Sequence, residues 1–292
     1  MLAEMPAPGA AQAPDEDVDA LIRGIAIPPR PALLAEVQEE VAAEDPDFGR
    51  IANLIGLDVA LTAGVLRTVN SPFYALSRKA ASPAEAISLL GLRQVAALVT
   101  GFALRQAISG DRANLTRFWD VSGKRSYALL RLAQGLRGVA PDVAQSFGLF
   151  CDVGIPLLMQ RFPEYSTSTL KVANQSESRS FTEIEQEAHQ TDHAIVGALM
   201  ARTWGLPRQV CDAIRLHHDY DIFHDPAVDP GVQRLVAMGL VAELSIQRFA
   251  RMNESLEWNK GGERAIGLLL LTETDLVDWN ETLLEGFAAG VS

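Results

Sequence analysis

Cysteine is nearly missing from this 292-residue chain, which has only Cys151 and Cys211. Two thiols cannot build a disulfide framework, so a reducing compartment, the cytoplasm, is expected. Basic residues are also scarce: 25 stand against 37 acidic ones, for a formal net charge of −12. That balance opposes nucleic acid and anionic membranes, which need clustered Lys and Arg to displace counterions. The basic pairs Arg78-Lys79 and Lys124-Arg125 are too small to reverse it. No apolar run, VAALVTGFAL from Val95 included, reaches the roughly 18 residues of a membrane span, so membrane insertion is not expected. The opening MLAEMPAPGA lacks the basic and apolar segments of a signal peptide. Strand-like runs bounded by hairpin turns are missing too, which argues against a sheet.

What is present is an ordinary globular composition with helical punctuation. Residues 1–17 are Ala, Pro, Gln and acidic side chains with little to bury, and read as a disordered tail. Asp45-Pro46 offers an N-cap before a first-turn proline, and Ile51, Leu54 and Ile55 then mark an apolar helical stripe. Ser82-Pro83-Ala84-Glu85 is a capping box, and Thr182 to Glu185 (TEIE) repeats the pattern. Gly205-Leu206-Pro207 ends one helix and opens the next; Gly261-Gly262 breaks another, and Thr272 to Asp275 caps the last. The fold class is therefore all-α, with roughly a dozen helices and no fixed-period repeat.

Two segments carry more information. One lies between Pro28 and Ser109 and reads IANLIGLDVALTAGVLRTVNSPFYAL, followed by SPAEAISLLGLRQVAALV. The other, Thr191 to Asp219, reads TDHAIVGALMARTWGLPRQVCDAIRLHHD. In this order they resemble the HDOD family, the HD-related output domain of bacterial signalling. The resemblance implies an HD-domain-like helical bundle with an N-terminal helical subdomain over 18–110. A degenerate HD-like subdomain would follow over 111–250, and a C-terminal helical extension over 251–292.

The family is similar to the HD phosphohydrolases, whose metal ligands run His, His-Asp, His, His-His, Asp. The resemblance places the His-Asp pair on Cys151-Asp152, the middle His on His193 and the His-His pair on His217-His218. The first His falls on Val121 and the final Asp on or near Leu240, where the only acid of the helix is Glu243. Neither Val121 nor Leu240 can hold an ion. Hydrolysis by hard cations needs several carboxylate and imidazole ligands and an open position for water, so no metal, no cofactor and no catalytic residue are expected. A Cys, Asp, His remnant suits zinc at most, since thiolate is a poor ligand for Mg or Mn.

Packing alone gives these residues ordinary roles. His193, Gly197, Met200 and Trp204 share one helical stripe, and Cys151 follows Phe147 by a turn, as a small buried hydrophobe would. His217 and His218 close a helix, where imidazole suits the dipole. Asp152 needs a partner in an apolar segment, and the resemblance proposes His193. The expected function is thus a non-catalytic signalling module, a pseudo-enzyme contacting an unidentified signalling protein. The alternative is a sensor holding a small ligand, such as a nucleotide, in the vestigial pocket. Cyclic dinucleotide hydrolysis is disfavoured, because HDYDIFHDP stands where a Gly-Tyr-Pro signature should follow His217-His218.

Overall fold

The computed structural model describes residues 24–74, 76–108, 112–252 and 255–289, with the backbone alone for 112–114. The tail expected over 1–17 lies outside these residues. Among the described residues every regular element is helical, so the all-α expectation is met.

The N-terminal helices are α1 (Ala32–Ala42), α2 (Phe48–Gly56), α3 (Val59–Val69), α4 (Pro83–Leu90) and α5 (Leu92–Ala107). Ser82 caps α4 by accepting from the Glu85 amide, with Pro83 at the first helical position, but the Glu85 side chain accepts from the Ala81 amide, so half of the expected capping box forms. For α2 the cap is Asp47, not Asp45: its side chain accepts from the Arg50 amide, and the helix starts two residues later. The five helices pack on one another, and α5 docks on the next group.

That group begins with α6 (Arg112–Gly135), α7 (Pro141–Phe150) and α8 (Gly154–Arg161). A π-turn at Tyr165–Thr169 and the short α9 (Leu170–Ala173) lead to α10 (Phe181–His189), α11 (His193–Thr203) and α12 (Arg208–Leu216). After a 3-10 turn at Tyr220–His224 come α13 (Pro230–Phe249), α14 (Leu256–Leu269) and α15 (Glu273–Ala288). The helix α6 lies against α7 and α13, α8 against α11, and α14 and α15 both against α13. While Ala173, Phe181 and Ile184 of α9 and α10 form a small separate cluster, one continuous apolar core runs from Leu34 to Phe287. Across it the Trp204 indole donates to the Pro28 carbonyl at 2.9 Å, tying the N-terminal arm to α11.

Pro141–Arg161 is long and apolar enough to cross a membrane, yet 61% of it is buried inside the fold. Its hydropathy is that of a core segment. Gly261 and Gly262 do not break a helix. Both lie buried inside α14, where an added Cβ on Gly261 would meet Tyr220 and Leu240 at under 3.0 Å. Gly261 allows close approach to α13, and Gly262 leaves room for the Trp258 ring of its own helix, uses of glycine that sequence punctuation cannot distinguish from a stop.

Candidate functional site

Cys151 and Asp152 sit in the tight turn between α7 and α8, and His193 is the first residue of α11. What brings them together is Gly154. A Cβ there would lie 2.1 Å from the His193 carbonyl oxygen, so only glycine lets α8 touch the start of α11. Asp192 caps α11 by accepting from the Ile195 amide, which fixes where His193 begins. His217 is the C-cap of α12, and His218 follows it. The five residues expected to form a vestigial pocket therefore do converge.

Their partners differ from those expected. Asp152 and His193 are 3.8 Å apart, too far for a direct hydrogen bond. His193, fully buried, instead donates from Nδ1 to Glu185 Oε2 at 2.6 Å, and its backbone N–H reaches the same oxygen at 3.2 Å. Tyr165 donates its hydroxyl to the other Glu185 oxygen. Glu185 belongs to the TEIE segment, which does not cap α10; the capping box there is Ser180 with Glu183. Asp152 pairs with Arg125 of α6, Oδ2 to Nη1 at 2.7 Å, and Arg125 Nη2 continues to Glu243 of α13 at 2.9 Å. The Nη1 contact is close but poorly aligned as a hydrogen bond, so it acts as an ion pair. Arg125 is thus a buried hub and no part of a basic surface spot.

The partners also set the imidazole tautomers. Carboxylates and carbonyls only accept, so each ring nitrogen facing one must carry hydrogen. His193 Nδ1 faces Glu185, His217 Nδ1 faces the Ile214 carbonyl at 2.7 Å, and His218 Nδ1 faces Glu257 of α14 at 2.9 Å. The remaining lone pairs are on Nε2, and those of His193 and His217 stand 3.1 Å apart. Two lone pairs would repel at that distance, so at least one of these nitrogens carries a proton; His217 Nε2 also lies 3.4 Å from Asp152 Oδ1. Burial opposes charge on His193, but Glu185 outweighs it and lifts His193 to about 9. Burial likewise opposes charge on His217, and Cys151 and Asp152 raise it to about 10. Burial and then the charge on His217 push His218 down to about 4, so His218 is neutral at pH 7. Asp152 is held well below the carboxylate range against its burial, first by Arg125.

Two sets of donors lie close enough to share an ion among the described residues: His193, His217 and His218, and Cys151, Asp152 and His217. The hard-ion chemistry of the parent pattern does not fit them. Asp152 is the only carboxylate in either set, and one of its oxygens already faces a guanidinium. Val121 is partly buried against the core, and Leu240 packs toward Gly261 of α14. Neither offers a donor atom.

The HDOD domain pattern matches residues 27–220. This chain belongs to the HDOD family. An uncharacterized protein of Treponema pallidum (strain Nichols) is 27% identical over 197 residues. The match takes in 66% of this chain but 38% of that relative, so the chain spans well under half of its length. Among solved structures, an HDOD domain protein of unknown function from Geobacter sulfurreducens aligns with a TM-score of 0.69 at 22% identity, over 93% of this chain and 95% of that one. A protein of Shewanella amazonensis SB2B, provisionally named a phosphohydrolase, gives a TM-score of 0.71 at 21% identity, over 93% and 97%. One of Marinobacter aquaeolei VT8, provisionally named for signal transduction, gives 0.70 at 20%, over 94% and 64%. At these identities the likeness concerns the fold.

Four residues that complete the cluster were not singled out as site residues from the sequence: Arg125, Glu185, Glu257 and Tyr165. The sequence marks Glu243 only as the acid near an empty position. A signal existed for two of them. Glu185 follows Phe181 and Ile184 on one helical face, and Arg125 lies between Ser122 and Leu129 on another. A charge on an apolar stripe is a buried charge in search of a partner.

Proposed function

We propose that this HDOD protein is a non-catalytic regulatory module that acts through contacts with a signalling protein. The observation behind this reading is the ion pair of Asp152 with Arg125. Metal-assisted hydrolysis needs a carboxylate free to bind the ion and an open position for water, whereas here the retained carboxylate is already neutralised. Membership of a family of signalling output domains points the same way. The sensor alternative is weaker, because His193 is fully buried and Asp152 keeps only 18% of its side chain exposed. A nucleotide would have to open the cluster before binding.

The test combines turnover with partner capture in the native cell. Purified protein should not hydrolyse cyclic dinucleotides or bis-p-nitrophenyl phosphate with Mg, Mn, Fe or Zn. An epitope-tagged chain should retain a signalling partner equally well as wild type and as Asp152→Asn. Turnover that Asp152→Asn abolishes would overturn the proposal.

A further inference from the structure

We infer that Arg125 is the resident cation of this site, holding Asp152 and Glu243 so that the cluster is complete without a metal ion and excludes one. The inference rests on the non-catalytic reading above and deepens it.

Arg125 is buried, with 8% of its side chain exposed, and one guanidinium spans two helices and a turn. From α6 it reaches Asp152 at the α7–α8 turn at 2.7 Å and Glu243 on α13 at 2.9 Å. Glu243 is further held by Gln247, which donates to its second oxygen at 3.0 Å. A planar fork suits two carboxylates approaching from different helices, which an ammonium point charge does not match.

The placement is informative as well. Arg125 follows Val121 by four residues on α6, and Glu243 follows Leu240 by three on α13, so each lies on the same helix face as a missing ligand, one turn on. The two positions that cannot hold an ion thus flank an ion pair that needs none. A divalent ion at Asp152 would have to bind beside a permanent positive charge and compete with it for the same carboxylate.

Removing the guanidinium charge should undo this. Asp152 would then lose its guanidinium partner and keep His217 Nε2 at 3.4 Å, with Cys151 beside it and the other two imidazoles near. These are nitrogen, sulfur and oxygen donors of the kind zinc accepts. Substitution should therefore convert an arginine-held site into a zinc-held one.

The experiment compares full-length wild type, Arg125→Met and Arg125→Lys by zinc titration calorimetry, metal analysis and melting with and without EDTA. Wild type should carry under a tenth of an equivalent of zinc and melt at the same temperature with or without EDTA. Arg125→Met should melt lower, regain stability on zinc addition and bind about one equivalent at least tenfold tighter than wild type. Adding Asp152→Asn to it should remove that gain. Arg125→Lys keeps the charge and should bind zinc no better than wild type. One equivalent of zinc in wild type, with melting lowered by EDTA, overturns the inference even if Arg125→Met fails to fold. So does a folded Arg125→Met that binds zinc no tighter. Zinc uptake by wild type without phosphodiester turnover would sink the arginine inference alone. Turnover would instead sink the regulatory reading.

Discussion

Replacing Glu185 by Ala tests which contact holds the cluster together. Glu185 is completely buried and serves three donors: the Tyr165 hydroxyl, the His193 amide and His193 Nδ1. An unpaired buried donor costs about 1–3 kcal/mol, and a buried charge stripped of its partner about 3–5 kcal/mol. Since His193 retains a proton at pH 7 because of Glu185, the second figure applies, with relaxation offsetting part of the sum. We expect Glu185→Ala to cost about 3–5 kcal/mol in urea denaturation, or roughly 10 °C in melting temperature for a chain of this size. Asp152→Ala should cost less, about 1–3 kcal/mol, because Arg125 keeps Glu243 at 2.9 Å. A double-mutant cycle should give Glu185 and His193 a larger coupling than Asp152 and His193, which stand 3.8 Å apart. Glu185→Ala within ~0.5 kcal/mol of wild type, or Asp152→Ala as the costlier change, would refute the assignment of partners.

Other changes probe the same architecture. Gly154→Ala places a Cβ 2.1 Å from the His193 carbonyl oxygen, so melting should show a loss of at least about 3 kcal/mol. Gly56→Ala, with no atom within 4 Å of its Cβ, should be neutral or stabilising by up to about 1 kcal/mol. The pH dependence follows from the raised imidazoles. His193 and His217 have folded values of about 9 and about 10 against 6.5 unfolded, so their contribution is fully present below 6.5 and fades as pH rises through 9 to 10. Wild type should therefore lose stability between pH 7 and 10, and a His193→Gln variant should lose less over the same range. Glu257→Ala removes the acceptor of both His218 and Tyr220 and should cost about 1–3 kcal/mol by urea denaturation.

The fold was legible where a local signal had one physical meaning. Ser82-Pro83 and Thr272 with Asp275 start helices because a side-chain oxygen satisfies an end amide, and the structure uses both caps. Signals failed where two uses of a residue look alike in sequence. Asp45 and Asp47 are equally good caps by residue type, and the structure uses the second, whose own amide donates to Glu40. Gly261-Gly262 reads as a break until Tyr220 and Leu240, distant in the chain, are seen against it.

The site was half legible for a related reason. Cys151, Asp152, His193, His217 and His218 follow from a pattern in chain order, and a pattern names the positions a metal once required. It says nothing about what replaces the metal. Lys124-Arg125 looks like solvated charge, yet the two neighbours do different work: Lys124 pairs with Asp120 one turn away, while Arg125 turns inward to Asp152 and Glu243. Adjacent residues on a helix point about 100° apart, so a charged pair cannot share one face. Both members are buried, and the face each lies on, more than its charge, decides its partner. Applied to α10, the same rule separates exposed Glu183, which caps the helix, from buried Glu185, which holds His193. Each charge lying on a buried stripe must find an opposite charge there, and in this chain those obligations close on one another around the place where the parent pattern would have held an ion.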